Sequence, residues 1–434
     1  MMIERIQTLL HENPEISGFK IIEELTDSFE LFFIKKELDI SRAKQVQHYL
    51  ITVYKDFAAD GTSFKGSATV AVHPTMSDAE LRVVLNEAAI SAGLVKNKFY
   101  PLVKPSGLKF SPEPSHFAGQ PPAAWLSRLA QAVFQNDNYR EGWLNSAEIF
   151  LNQVRLHLVN SEGIDLTRES YRADLEAIAT WREGASEIEL FRELKFAEWN
   201  PDAIGGAIDQ LLKHAKERAL AQPTPGLKKH TVLLTGEPVR EFFQYYYTQT
   251  SAQSVYEGVS TLRSGESIQG AEIRGDRISF RLDPCLAGST ASAPFDEDGI
   301  PLEPVVIAEE GRLLRYWGDQ RHSYYLGLNP TGRIRNMAVE GGTQTLTTLK
   351  REPYLELVAF SDFQMDTLTG DFGGEIRLGW YFDGERTIPI TGGSISGNIR
   401  EIEAEMYLSK ELQQENEFVG PKTVKLPGVT VTGA

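Results

Sequence analysis

One short stretch, Gln222-Pro223-Thr224-Pro225-Gly226, separates two parts of the chain whose residue patterns demand different architectures. Before it, helical and strand periodicities take turns. After it, the pattern turns to short apolar runs punctuated by glycine. The succession predicts an α+β protein, with N-terminal and middle mixed α/β units followed by a large, mainly antiparallel β-rich C-terminal domain. The expected division is residues 1–115, 116–225 and 226–434, in keeping with two or three domains for 434 residues.

In the first unit, Ile3, Ile6, Leu9 and Leu10 mark one face of a helix over residues 3–12 that Asn13-Pro14 ends. Strands are predicted at 28–36, 47–56 and 64–73, the second and third with side chains that alternate in period two. Ser77 and Glu80 have the spacing of a capping box. They open a helix with Leu81, Val84, Leu85, Ala88 and Ala92 on its apolar stripe, and Gly93 reads as its stop. Residues 101–120 hold four prolines and read as a boundary, with a break near 110–120. In the second unit, Pro121-Pro122 open a helix that turns Trp125, Leu126, Leu129 and Val133 inward. Strands follow at 146–151, 153–160 and 187–196, and residues 169–182 alternate with Tyr171, Ala173, Leu175, Ala177, Ala179 and Trp181 on one face. Asn200-Pro201 cap and start a helix carrying Ile204, Ile208, Leu211, Leu212 and Ala215. Beyond the Pro-Gly stretch, hairpins are predicted around Glu309-Glu310-Gly311 and Asp383-Gly384.

Composition excludes several classes of function. A net charge of −16 repels phosphate backbones, and no Lys/Arg-rich run offsets it, so direct nucleic-acid binding is not expected. One cysteine, Cys285, leaves no internal disulfide framework and no Cys-based structural zinc site. No apolar run approaches the ~20 residues that span a bilayer, and the N-terminus has no signal-peptide pattern. The expected location is cytoplasmic. The eight histidines are scattered, no two within five positions. Neither a Gly-x-Ser-x-Gly elbow, a P-loop nor a dinucleotide fingerprint is present.

Several segments, in order, resemble the TldD/PmbA family, also labelled modulator of DNA gyrase. Residues 62–73 and the capped helix resemble its first domain, where a strand carrying Gly-Ser-Ala leads to a helix. Asn160-Ser161-Glu162-Gly163 resembles a turn of its middle domain. Phe295-Asp296-Glu297-Asp298-Gly299, Tyr324-Tyr325-Leu326-Gly327 and Ile388-Pro389-Ile390 with Gly392 to Asn398 resemble segments of its last domain. The resemblance implies a metallopeptidase fold. In active, TldD-type members a His-Glu-x-x-x-His helix opens the last domain, and a Cys near the C-terminus completes the zinc site.

At the matching positions this chain has Gln244 and Gln249 for the two His, Tyr245 for the Glu, and Val419 for the Cys. A shift of the alignment does not restore the site, because no His or Glu lies between residues 242 and 256. The chain therefore resembles the PmbA (TldE) type, a subunit without the metal site. The resemblance implies zinc only in a catalytic partner, no cofactor here, a TldD-like partner or a homodimer formed through the last domain, and unfolded or flexible peptide as substrate. Gln244, Tyr245, Gln249 and Val419 are candidates for a peptide groove or a subunit contact. In the run Tyr245-Tyr246-Tyr247, helical spacing with Val239, Phe242 and Phe243 assigns Tyr246 and Tyr247 to the core. The alternative is a self-associating, peptide- or protein-binding regulator without peptidase activity.

Overall fold

In the computed structural model, which describes residues 2–107 and 115–434, the part before the Pro-Gly stretch is built on six long antiparallel strands. In chain order they are β1 (Gly18–Ile34), β2 (Glu37–Ala59), β3 (Thr62–Val72), β4 (Gly142–Asn160), β5 (Asp165–Glu183) and β6 (Ser186–Phe196). Their spatial order is β3-β2-β1-β4-β5-β6. The first and middle units meet where β1 pairs with β4, from Lys20↔Asn160 to Ile34↔Ser146.

Helices cover one face of this sheet in two places. Helices α1 (Met2–Glu12) and α2 (Asp78–Ala92) pack on Phe19, Ile21, Tyr49, Ile51 and Val53. Helices α3 (Leu126–Phe134) and α4 (Pro201–Ala219) pack on Leu31, Phe33, Leu144, Ile149 and the inward row of β5 from Ala173 to Trp181. The odd-numbered residues of β1 thus serve both cores, one at each end of the strand. The capping box is formed, with the Ser77 hydroxyl accepting from the Glu80 amide and the Glu80 carboxylate accepting from the Ser77 amide. Asn200 caps α4 through the Ala203 amide. Gly66 is required where β3 passes the end of α2, since a Cβ there would lie 1.8 Å from the Ala92 carbonyl oxygen.

Several boundaries differ from expectation. The strand expected at 28–36 ends at Ile34, and Lys35, with φ of 55°, makes the hairpin turn. It begins ten residues earlier, at Gly18. Its centre lies between the two helix pairs, so residues 22–27 are only half-buried and carry no apolar alternation. The segments 146–151 and 153–160 are one strand with a bulge near Leu144. Gly93 stays helical, with φ of −65°, rather than taking the left-handed conformation of a glycine stop. The break expected near 110–120 falls partly on residues 108–114, outside the described residues.

The C-terminal domain has two sheets enclosing one helix. The stretch Gln222–Gly226 that separates the two patterns opens inside the larger, eight-stranded sheet. There β7 (Gln222–Pro223) pairs in parallel with Ile390 and Thr391, and the Thr224 amide donates to the Thr391 carbonyl at 3.0 Å. Strand β8 (Lys228–Thr235) follows, paired with Tyr354–Met365 on one side and Thr423–Thr432 on the other. The smaller, six-stranded sheet includes Phe280–Leu282, Val305–Glu309, Met337–Val339 and Phe418–Pro421. Both expected hairpins form, turning at Glu310-Gly311 and at Gly384, all with positive φ. Between the sheets lies α5 (Glu237–Gln249): Phe242 packs edge-on against Phe372 of the larger sheet, and Phe243 stacks on Phe418 of the smaller.

The two parts are clipped together by the loop Phe295–Pro301. Phe295 is buried with Leu158 and Ile164, on the sheet face opposite the helices. Asp296 accepts from the amides of Asp298, Ile300 and Arg333, and Lys20 reaches Asp298 at 2.6 Å. Among the described residues, no helix is long and apolar enough to cross a membrane.

Candidate functional site

Helix α5 runs from Pro238 at its start to Gln249, and its apolar residues Val239, Phe242, Phe243 and Tyr246 face the two sheets. That leaves two polar flanks. On one flank, Tyr245 and Gln249 are buried and hydrogen-bonded. The Gln249 amide nitrogen donates to the Thr367 carbonyl at 2.8 Å, and the Tyr245 hydroxyl accepts from Arg400 Nε at 2.9 Å. Arg400 also donates to the Leu368 carbonyl, and Asn398 to the Thr369 carbonyl. The turn at residues 366–369 is thereby tied to α5 and to the strand Ser394–Asn398. This is the work done by Gly-Asn at 397–398: the Asn398 side chain caps the next helix at Arg400 and holds the turn. Deeper in, Tyr246 is wholly buried and donates to Glu403 at 3.0 Å. Burial pushes the Glu403 carboxyl up to about 7, against the pull of that hydrogen bond and of Arg400.

The other flank faces the middle domain across a cavity of about 860 Å³. Gln244 lines it and, among the described residues, its amide has no hydrogen-bond partner. Beside it, Tyr247 stacks on Trp317 with ring centroids 4.4 Å apart, locked by the Trp317 Nε1 bond to the Tyr247 carbonyl. The Tyr247 hydroxyl is spent on the Ile334 carbonyl, so the pair offers a flat apolar surface. Arg240 is paired with Glu417 at 2.8 Å and Arg335 with Glu297 at 2.6 Å, whereas Arg333 has no such partner among the described residues.

The facing wall is the helix-free side of β4, β5 and β6. Its cross-strand registers set Glu148 opposite Glu176, and Glu176 opposite Glu193. Like charges directly opposite in a ladder repel. Burial, then Glu148, Glu193 and Asp174, hold the Glu176 carboxyl above the ordinary range. Asp174, next along β5, takes Arg172 and Asn152 on one oxygen, while its other oxygen is buried with no partner.

Of the four residues singled out by sequence, only Gln244 lines this cavity. Tyr245 and Gln249 are on the opposite flank of α5. Val419 lies two residues beyond Glu417, paired with Ala338 on one side and Gln414 on the other, while Phe418 between them points onto Phe243. Tyr246 is in the core as expected, but Tyr247 is only half-buried and forms part of the cavity wall. These positions do not fit a zinc ion. They supply two amides that face away from each other, a phenol held by an arginine, and an alkyl group. Among the described residues, no group of three or more His, Cys, Asp or Glu side chains is placed to share a metal ion. Sequence reasoning missed Glu176, Glu193, Trp317 and Arg333. The one available signal was the alternation of β5: with Ala173 to Trp181 inward, Arg172, Asp174 and Glu176 must face the other way.

Residues 227–433 match the family model described as the PmbA/TldA metallopeptidase C-terminal domain. An uncharacterized protein of Methanocaldococcus jannaschii is 23% identical over 62% of this chain and 64% of its own length. Metalloprotease PmbA of Escherichia coli O157:H7 is 25% identical over 40% of this chain and 39% of its own. The chain thus spans less than two thirds of the length of these relatives in alignment. In structure, TldE from Thermococcus kodakarensis superposes over 100% of both chains, with a TM-score of 0.79 at 16% identity. A Thermotoga maritima chain described as a candidate modulator of a DNA gyrase does so with a TM-score of 0.77, also at 16% identity.

Proposed function

Because the chain belongs to the TldD/PmbA family, we propose that it is a PmbA-type subunit without a metal of its own, acting beside a TldD-like catalytic chain. The complex would be a cytoplasmic peptidase for unfolded or flexible peptides. The observation that carries this reading is the residue set at the degenerate site. Gln244, Gln249 and Val419 stand where the resemblance puts two His and a Cys, and Gln249 is committed to Thr367 on the far flank of α5. An amide so placed supplies neither the imidazole nor the orientation that a catalytic zinc needs.

Gln244 still opens onto a cavity, which is what a chamber-forming subunit requires. The chain's part is to shape that chamber and to hold the partner, as a homodimer or a heterodimer through its last domain. The second reading is a self-associating peptide- or protein-binding regulator without peptidase activity, in line with the description of the Thermotoga maritima chain of like fold as a candidate modulator of a DNA gyrase.

Two measurements test the proposal. Metal analysis of protein purified without metal and then offered zinc should find far less than one tightly held zinc per chain. Affinity purification from the native cell should recover a chain carrying His-Glu-x-x-x-His, and peptidase activity should appear when the two are mixed. A stoichiometric zinc, or strong metal-dependent cleavage by this chain alone, overturns the proposal. A homodimer that recovers no such chain favours the second reading.

A further inference from the structure

The cavity beside Gln244 has unspent groups of opposite charge on its two walls. On the sheet wall, Glu176 lines the cavity and, like Glu148 opposite it on β4, has no hydrogen bond or ion pair among the described residues, while Glu193, next across the ladder, is paired with Lys195 at 2.9 Å. Lys195 answers Glu193, which leaves Glu148 and Glu176 as adjacent carboxylates that repel, and a cation placed against Glu176 relieves that repulsion. On the α5 side, Arg333 is an exposed guanidinium without a partner, next to an unpaired amide and the Tyr247–Trp317 surface. The volume, about 860 Å³, is within the range of pockets that hold small ligands.

We propose that this cavity binds a short peptide that carries a lysine or arginine side chain and ends in a free carboxylate. The cationic side chain lies against Glu176. The terminal carboxylate pairs with Arg333, whose fork geometry suits it. Gln244 reads a backbone amide, and the Tyr247–Trp317 surface takes a flat or aliphatic side chain. This inference rests on the peptidase-subunit reading and adds a charge preference to it. The peptide would be held by its ends and one basic residue, without a metal.

The test uses the full chain and a fluorescent hexapeptide with one lysine and a free C-terminus. Three relatives replace the lysine by glutamate, replace it by norleucine, or amidate the C-terminus. Binding should weaken by roughly tenfold or more from lysine to glutamate, the scale of a charge-assisted hydrogen bond. Glu176→Gln should erase the preference of lysine over norleucine and keep that of acid over amide. Arg333→Gln should do the reverse. Thermal midpoints equal to the parent's show that both variants fold. Equal affinity for the lysine and glutamate peptides, no binding of any peptide, or preferences unchanged in both variants overturns the inference. The outcome is separable from the proposed function. A zinc-free chain that recovers its partner but ignores peptide charge loses this inference alone, and a zinc-holding chain that keeps the charge preference loses only the other.

Discussion

On the flank of α5 that meets the turn at residues 366–369, Tyr245 is bonded to Arg400 and Gln249 to Thr367, and deeper in Tyr246 is bonded to Glu403. On the flank that meets the middle domain, Gln244 and Arg333 are unspent, and the carboxylates opposite them crowd one another. The two flanks belong to one thirteen-residue helix, yet the first is interior and the second opens onto the cavity. Closed polar groups bought rigidity on the first, whereas the open flank keeps groups whose partners must come from outside.

The sharpest way to break the contrast is to compare adjacent residues. Phe243 is fully buried and stacked on Phe418, so Phe243→Ala should destabilise the chain by about 3–5 kcal/mol. Urea unfolding measures it. A cost near zero would mean that α5 is not the keystone between the two sheets.

The next effect is a pH dependence on the closed flank. Glu403 is 7% exposed, and its carboxyl is raised from about 4.5 to about 7, by burial first. A raised folded value means that the folded state holds the proton more tightly than the unfolded one. The stabilisation is complete below about pH 4.5 and is lost as pH rises through about 7. Its scale is about 3 kcal/mol. Glu403→Gln, which keeps an acceptor for the Tyr246 hydroxyl, should flatten that fall. Unfolding free energies of parent and variant from pH 5 to 8 should therefore diverge steadily, with the parent the less stable at the alkaline end. Parallel curves would show that Glu403 is solvated or paired in a way that cancels its burial.

The same division between local and assembled features explains what the sequence disclosed. Ser77 with Glu80, the inward row of β5, the Asn200 cap and the glycine hairpins are decided within a few residues, and each stands where periodicity and capping place it. The centre of β1 has no helix above it, so it lacks the alternation that would announce a strand. Gln222–Gly226 has the composition of a tether, but its pairing with Ile390 and Thr391 is made by backbone groups that composition does not report. At the site, the absence of His and Cys was legible because it lies in one helix and one strand. The cavity was not, because Glu176, Gln244, Trp317 and Arg333 come from separate elements and meet only after the two parts dock.

The smallest expected effect is the most direct measure of the two flanks. Gln249 and Gln244 are identical side chains five positions apart on α5, and only their surroundings differ. Gln249 is 3% exposed and donates to the carbonyl of the half-buried Thr367, so Gln249→Ala removes that bond and a buried side chain and should cost about 1–3 kcal/mol. Gln244 makes no hydrogen bond among the described residues and faces open volume, so Gln244→Ala should change stability by less than about 0.5 kcal/mol. The two variants, unfolded in urea under one set of conditions, give a difference that needs no absolute scale, because the residue removed is the same. Ligand then reverses the order. A peptide that engages Gln244 should stabilise the parent more than the Gln244→Ala variant, and should stabilise parent and Gln249→Ala alike. If instead the two alanine variants lose equal stability and respond equally to peptide, the flanks are not distinct, and the cavity side of α5 is interior like the other.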